Sequence, residues 1–427
     1  MKNIVILGNG ISGITAAREI RKMSQNKITV ISSETEHFFS RTALMYIYMG
    51  HMKYEHTKPY EDNFWKKNWI DLMQAKVDKV DIAKKELVLS DGKTVAYDVL
   101  VFAVGSKSNK FGWPGQDLDG VSGMYSFQDL QNIEKYTKNI KRGVIVGGGL
   151  IGIELAEMLH SRGIDVTFLV REKSFWDNIL PDEESALITR HIRDNHIDLR
   201  LETELKEIVS DSNGRVKAVV TNKGDEITCG FVGLTAGVSP NIDFLKDSGI
   251  ETDRGILINE YCETNVPDVY AIGDCAQHKT PPGERRPVEQ VWYTGRMMGE
   301  TLAYTICKDK LKYQPGIWFN SAKFLEIEYQ TYGWVWAKLK EDEQDFYWED
   351  DSGRKCLKLV FDKKEKFLKG CNVFGIRLRH EVMEKWIKNK KHVKEVVEEL
   401  NEANFDPEFF KKYEPEIKEK FNKVVLR

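Results

Sequence analysis

Twice along the chain an apolar run breaks on clustered glycines and then resumes as a helix-like stretch. The first copy is "NIVILGNGISGITAAREI", opening at Asn3, and the second is "GVIVGGGLIGIELAEML", opening at Gly143. The pattern predicts a strand over Asn3–Leu7, a turn over Gly8–Gly13 and a helix to about Lys22. A second strand, Ile28–Ser32, then ends near Glu34. The later copy predicts a strand over Val144–Val146, a turn through Gly147, Gly149 and Gly152, a helix to about Leu159 and a strand over Val166–Val170. Each is a β-α-β unit with its glycines spaced G-x-G-x-x-G.

That spacing has a chemical reading. The first glycine makes the turn, the second lets backbone approach a pyrophosphate, and the third lets helix pack on strand. The helix N-terminus faces the phosphates, and an acid such as Glu34 can accept a ribose hydroxyl. A bare glycine motif is weak evidence; between a strand and a helix, with the acid in place, it is strong. Two such cradles imply two nucleotides, one held permanently and one exchanged.

Two other strands end in small residues, "VLVFAVGSKSN" (Val99–Asn109) and "GLTAGVSPN" (Gly233–Asn241). A third, Val269–Ile272 in "TNVPDVYAIGDCA", runs directly into Gly273-Asp274. Small residues at the carboxyl ends of strands leave room for a ligand. Together with the two turns, these motifs resemble the FAD-dependent pyridine nucleotide-disulfide oxidoreductase superfamily. The closest likeness is to its rubredoxin and ferredoxin reductase branch and to the flavin module of assimilatory nitrite reductases. The resemblance covers roughly residues 1–305. It implies an α/β fold with two Rossmann-like dinucleotide-binding domains, glutathione reductase-like, plus a C-terminal α+β domain. The expected boundaries are 1–112 with 235–308 for FAD, 113–234 for NAD(P)H and 309–427 for the cap.

Carried over residue by residue, the resemblance places Gly8, Gly10, Gly13 and Glu34 on the ADP half of FAD, and Val77 beside the adenine. Gly273 and Asp274 fall at the ribityl and pyrophosphate region. Gln290 and Trp292 lie at the start of a helix near the flavin's pyrimidine edge, although a core tryptophan would read the same as Trp292. Gly147, Gly149, Gly152 and Gly237 fall to the nicotinamide dinucleotide. The family alignment puts Val170 where NADH-using members carry an acid, followed by Arg171 and Lys173 as in NADPH-using relatives. Aligning the chain against itself instead sets Glu172 opposite Glu34, which favours NADH. NADPH is the expectation adopted.

Disulfide-reducing members carry thiols against the flavin a few tens of residues after the first turn. Here "HFFSRTALMYIYMG" (His37–Gly50) has Ser40-Arg41 and no cysteine, and all six cysteines lie from Cys229 onward. Without a thiolate there is no mixed-disulfide route. Arg41 becomes a candidate to balance flavin or phosphate charge. The function implied is an FAD-dependent NAD(P)H:acceptor oxidoreductase, with no catalytic residue beyond the flavin, that passes electrons to a small redox protein. The alternatives are a small-acceptor reductase (oxygen, a quinone, a dye) and a redox-sensing flavoprotein with a partner-binding tail.

Composition narrows the classes further. At 427 residues, with 41% hydrophobic and 30% charged, the chain reads as a multidomain globular protein. A net charge of −3 argues against nucleic-acid binding. No cysteine pair has zinc spacing. No apolar run is long enough to span a bilayer, and no leader-like segment stands before the first strand, so the cytoplasm is the expected location.

Beyond about Lys308 the glycine pattern stops, in a run dense in aromatics that includes Trp318, Phe319, Phe324, Trp334 and Trp336. Strands are expected near Asp345–Trp348, Lys355–Phe361 and Phe367–Phe374. Helices are expected over Arg379–Leu400 and Pro407–Val425. The acidic run "KEDEQDFYWEDD" reads as a solvated hairpin tip, or else a dock for a basic carrier. The last helix puts Phe410, Tyr413, Ile417, Phe421 and Val424 on one face, to pack on its own domain or lie on a membrane surface. The family uses such a domain to dimerise or to cover the flavin, so a homodimer through it is expected.

Overall fold

The computed structural model describes residues 1–405, 408 and 411–425. The chain forms two compact units. One comprises residues 1–111, 122–138 and 237–315; the other comprises 112–121, 139–236 and 316–427.

The first unit is built on β1 (Asn3–Leu7), α1 (Ile11–Met23) and β2 (Lys27–Ser32). Its sheet runs in the order Val269–Ala271, Val99–Phe102, β1, β2, Ile70–Gln74, with every pair parallel. Both faces are covered, so β1 and Val99–Phe102 read as continuous apolar runs and are almost wholly buried. A three-stranded antiparallel sheet over Val77–Ala96 is added to this unit. The helix Trp292–Cys307 packs along α1. At Gly299 a Cβ would stand 2.6 Å from the Ser12 carbonyl oxygen, so only glycine lets the two backbones come so close.

The second unit repeats the plan with β3 (Arg142–Val146), α2 (Leu150–Ser161) and β4 (Asp165–Leu169). Asp198–Arg200, β4, β3 and Phe231–Leu234 run parallel in that order. It too carries a three-stranded antiparallel sheet, over Leu205–Thr228.

The segment 122–138, expected with the nicotinamide domain, falls in the first unit instead. Its helix Phe127–Tyr136 is tied there through the Tyr48 hydroxyl, 2.7 Å from Thr137 Oγ1, and through contacts to Glu34. The C-terminal third belongs to the same unit as the second cradle. Helix α3 (Asp182–Asp194) buries Glu184 against Asn372, whose amide donates to the carboxylate at 2.7 Å.

The C-terminal sheet is antiparallel in the order Phe319–Phe324, Ile327–Gly333, Leu368–Phe374, Cys356–Asp362, Glu343–Glu349. Its first hairpin leaves no signal in the sequence, because the aromatic-dense run carries no clean alternation. Trp318, Trp334 and Trp336 stack there, with successive rings 4.8 Å apart. The acidic run is an edge strand rather than a hairpin tip. Its Asp342 and Glu343 pair with Lys369, each at 2.9 Å, and its Asp345 pairs with Lys358. The helix expected over Arg379–Leu400 is two, His380–Lys388 and Val393–Glu398, because residues 391–393 turn aside to pair with the Lys366–Leu368 backbone. The last helix begins at Glu414; Pro407 and Phe410 lie outside the described residues. Ile417 and Phe421 are fully buried, and Phe421 packs on Phe346 at 5.2 Å, so this face is occupied by the helix's own domain. Among the described residues no helix is long and apolar enough to cross a membrane.

Candidate functional site: two dinucleotide cradles

Both turns hold the conformation that the glycine spacing demands. Gly8 has φ +115° and Gly147 φ +113°, a region closed to ordinary side chains. A Cβ on Gly8 would stand 2.0 Å from the Ala103 carbonyl oxygen, and one on Gly147 would stand 2.7 Å from that of Thr235. Gly13 and Gly152 pack the helix against the turn: a Cβ there would meet the carbonyl oxygen of Gly8 at 2.1 Å and that of Gly147 at 2.5 Å. The middle glycines are different. Around both Gly10 and Gly149 there is nothing within 4 Å of the Cβ position, so glycine is needed there to keep space open. Neither helix has a side-chain cap or an acid in its first turn, so the terminal N–H groups face that space free for an anion.

In the first unit the acid is rigidly held. Arg41 forks onto Glu34 at 2.8 and 2.6 Å, and the Phe127 N–H donates to the same carboxylate at 2.7 Å. Arg41 also donates to the Tyr125 carbonyl and lies over the Tyr125 ring at 4.6 Å. It is therefore no plain surface arginine, and the charge it balances here is that of Glu34. Beside Glu34 opens a cleft of about 370 Å³, lined by Thr35, Tyr54, Gln74, Phe127 and Gln128. A larger groove, about 640 Å³, lies around Trp65 and Trp69 and holds none of the turn glycines. Val77 is buried and pairs with Leu89 in the antiparallel sheet.

Asp274 is the second centre. It follows Gly273, whose φ is +72°, at the end of the strand Val269–Ala271. The Tyr125 hydroxyl lies 3.1 Å from its Oδ2 and the Ser106 hydroxyl 3.4 Å. Burial raises the Asp274 pKa; the Tyr125 hydroxyl, the Arg41 charge and the Ser106 hydroxyl pull the other way. Gln290 donates to Ser106 Oγ at 2.7 Å, which brings the start of the helix Trp292–Cys307 into the same network. Trp292 is half-buried as the first residue of that helix, its ring edge-on to Tyr293 at 5.4 Å.

In the second unit Glu172 receives one side-chain bond, from Arg171 Nε at 2.8 Å, and Arg171 is 71% exposed. Strand register bears on the two alignments. Leu7 pairs with Ile31, and Val146 pairs with Leu169. Counting three residues on from each partner reaches Glu34 and Glu172. Val170 is fully buried, packed under Gly148. Gly237, φ +88°, lies in the first unit, its carbonyl accepting the Asn109 N–H at 3.1 Å.

Sequence reasoning overlooked three residues. Tyr125 and Ser106 reach the site only through long-range hydrogen bonds, which leave no periodic trace. Glu154 sits one turn into α2, where burial pushes its carboxyl up to about 7, and a neighbouring Glu157 adds to the shift. An acid on the apolar run just after the second turn was the available signal. All six cysteines are free, and five are buried; burial pushes the Cys229, Cys262 and Cys275 thiols up to about 12, which leaves them unreactive. Among the described residues no cluster could hold a metal ion.

Residues 2–299 match the pyridine nucleotide-disulphide oxidoreductase family. The chain belongs to that family. It is 28% identical over 281 residues to a nitrite reductase [NAD(P)H] of Bacillus subtilis, covering 65% of this chain and 35% of that protein. It is 28% identical over 341 residues to a ferredoxin–NAD(P)+ reductase of Sphingomonas sp, covering 78% and 81%. The chain thus spans about a third of the first relative's length and most of the second's. In fold it is similar to an NAD-dependent persulfide reductase from A. fulgidus, with TM-score 0.83, 20% identity, and coverage of 99% of this chain and 83% of that one. The family is one of FAD- and NAD(P)H-using oxidoreductases.

The residues present fit FAD. An open turn at Gly10, an uncapped helix, a fixed acid at Glu34 with a cleft beside it, and a buried Asp274 form a polar line along one unit.

Proposed function

We propose that the chain takes hydride from a nicotinamide dinucleotide at FAD and delivers electrons to a small protein carrier of the ferredoxin or rubredoxin kind. The observation that carries this reading is the pairing of two near-identical glycine turns with no cysteine before Cys229. A bound flavin would supply hydride acceptance and stepwise electron release. The chain's own residues do the rest. Gly8, Gly10, Gly13 and the start of α1 would hold a pyrophosphate, Glu34 a ribose hydroxyl, and Asp274 the ribityl chain. Gln290 and Trp292 would place the helix start at the flavin's ring. Gly147, Gly149 and Gly152 would hold the nicotinamide dinucleotide.

For the donor, Arg171 and Lys173 support NADPH, whereas the strand register supports Glu172 as the ribose acid. We place NADH first, because Glu172 occupies the position of Glu34 and the residue at the competing position, Val170, is turned into the core.

The test is an anaerobic titration of the purified yellow protein with NADH, followed by turnover with a ferredoxin-type carrier and with a dye. The flavin should bleach without the long-wavelength band that a thiolate donor gives, and carrier turnover should be sensitive to salt. A charge-transfer band abolished by alkylation would overturn the thiol-free reading.

A further inference from the structure

Tyr125 is held at three points. Its carbonyl and ring engage Arg41, and its hydroxyl accepts the Ser106 backbone N–H at 2.8 Å while lying 3.1 Å from Asp274 Oδ2. Gly105 makes room for that hydroxyl, since a Cβ there would stand 2.7 Å from it. A phenol has one proton to give. With the Ser106 N–H pointing at the oxygen, the phenol proton goes to the Asp274 carboxyl oxygen.

The other donor is directed by the same logic. Gln290 Nε2 also donates to the Val238 carbonyl at 3.3 Å, which identifies that end of the amide as the donor. It therefore donates to Ser106 Oγ, and the Ser106 hydroxyl in turn donates to Asp274 Oδ2. Both donors converge on one oxygen. Among the described residues no side chain donates to Oδ1; the Asp274 backbone N–H is the remaining donor to this carboxylate.

We infer that Tyr125 is a positioning residue for the flavin nucleotide: with Ser106 it fixes the Asp274 carboxylate so that Oδ1 is left to accept a hydroxyl of the ribityl chain. Through Arg41 it also couples that acceptor to Glu34, so the two ends of the FAD-holding surface are one hydrogen-bonded network. This rests on the reading that the first unit holds FAD. The charged and titratable groups facing Asp274 are Tyr125, Arg41, which is itself paired to Glu34, and the neutral Cys275 thiol beside it.

The experiment is FAD binding to the apo-protein, followed by quenching of flavin fluorescence from pH 5 to 8.5. Tyr125→Phe removes a hydroxyl donor to a carboxylate, so FAD affinity should fall ~10-fold at neutral pH. Loss of the donor also raises the pKa of Asp274 further, so the acid-side weakening of FAD binding should begin at higher pH than in the wild type. A merely structural role would weaken binding equally at every pH. Ser106→Ala removes the second donor to the same oxygen without touching the ring, and should displace the acid limb in the same direction even if Tyr125→Phe fails to fold. If both profiles superimpose on the wild type, or fall uniformly without displacement, the positioning role is wrong. If the wild-type apo-protein takes up no FAD, the assignment of the first unit falls with it.

Discussion

The two glycine turns are nearly the same object, and their surroundings are not. Their first glycines differ by 2° in φ, 115° against 113°, and both middle glycines face open space. Around the first, Glu34 is gripped by a two-pronged arginine and a backbone N–H and is 17% exposed. Around the second, Glu172 is as buried, at 19% exposure, but among the described residues it has a single side-chain bond, from an arginine that is 71% exposed where Arg41 is 30% exposed. On the proposed reading, the turn sets what class of ligand is held and the neighbours set how long. A preorganised acid loses little freedom when a ribose arrives, and so favours a ligand that stays. An acid tethered to a solvated arginine must be ordered with each visit, which suits a ligand that leaves.

The sharpest way to break that comparison is to fill the open spaces. Gly10→Val and Gly149→Val have negative φ, −69° and −128°, and meet no atom within 4 Å, so neither should alter the stability of the apo-protein. Gly10→Val should abolish FAD retention through dialysis. Gly149→Val should keep the flavin and raise the KM for the nicotinamide by a hundredfold or so, on the order of 3 kcal/mol of lost binding. Flavin loss in Gly149→Val, or full retention in Gly10→Val, would reverse the assignment of the two cradles.

Next come the arginines. Arg41→Ala leaves the Glu34 carboxylate mostly buried without its fork, and should cost about 2–3 kcal/mol in urea unfolding, a value lowered from the fully buried case because Arg41 keeps 30% exposure. Arg171→Ala should cost no more than about 0.5 kcal/mol. Equal costs would mean that the first acid is no better organised than the second.

A smaller effect separates the units by pH. Each buries a carboxyl, but Asp274 has two hydroxyl donors and Arg41 nearby, whereas Glu184 has one amide donor and, among the described residues, a buried Oε1 with no hydrogen-bond partner. Burial pushes Glu184 up to about 8, against the pull of Asn372 and Lys358. The folded state therefore keeps a proton that the unfolded chain releases near 4.5, and stability falls as pH rises from there towards 8. Glu184→Gln should be neutral at pH 5 and stabilising by ~1–3 kcal/mol at pH 8.5, read by denaturant unfolding at both pH values. A variant equally destabilised at both would show that the carboxyl is ionised in the fold.

How much of this was legible beforehand follows from the range of each interaction. The cradles could be read because the backbone itself forces glycine at Gly8 and Gly147, and because each β-α-β unit is local. The strands of the C-terminal sheet appeared where alternation or apolar runs were clean, at Cys356–Asp362 and Leu368–Phe374. The hairpin Phe319–Gly333 was hidden, since aromatics fall on both its faces. The break after Lys388 was hidden because it is made by pairing with a hairpin some twenty residues earlier. Glu34 is legible as an acid in the right place, but its arginine partner reads from sequence as balancing flavin or phosphate charge. Tyr125 and Ser106 were invisible, because their roles depend on Asp274, more than a hundred residues away.

The last prediction concerns the donor, where the effects are smallest. If Glu172 holds a ribose 2′-hydroxyl as the strand register supports, Glu172→Gln should raise the KM for NADH by ~3- to 10-fold, because the charged hydrogen bond is lost while the amide oxygen of Gln can still accept a neutral one. The same change should leave NADPH unaffected or improve it, because an anion beside the 2′-phosphate has gone. Arg171→Ala should then change NADH less than threefold, and it should free Glu172 of the one side-chain hydrogen bond it has among the described residues without unfolding anything. The competing alignment gives the opposite table of outcomes. A wild type that prefers NADPH, with Arg171→Ala raising the NADPH KM by ten- to hundredfold and Glu172→Gln silent, would mean that the second cradle reads a phosphate rather than a hydroxyl. The two turns would then differ in the chemistry they select as well as in how firmly they hold it. Steady-state kinetics of both variants with both coenzymes, against a dye acceptor that bypasses the carrier, separates the two.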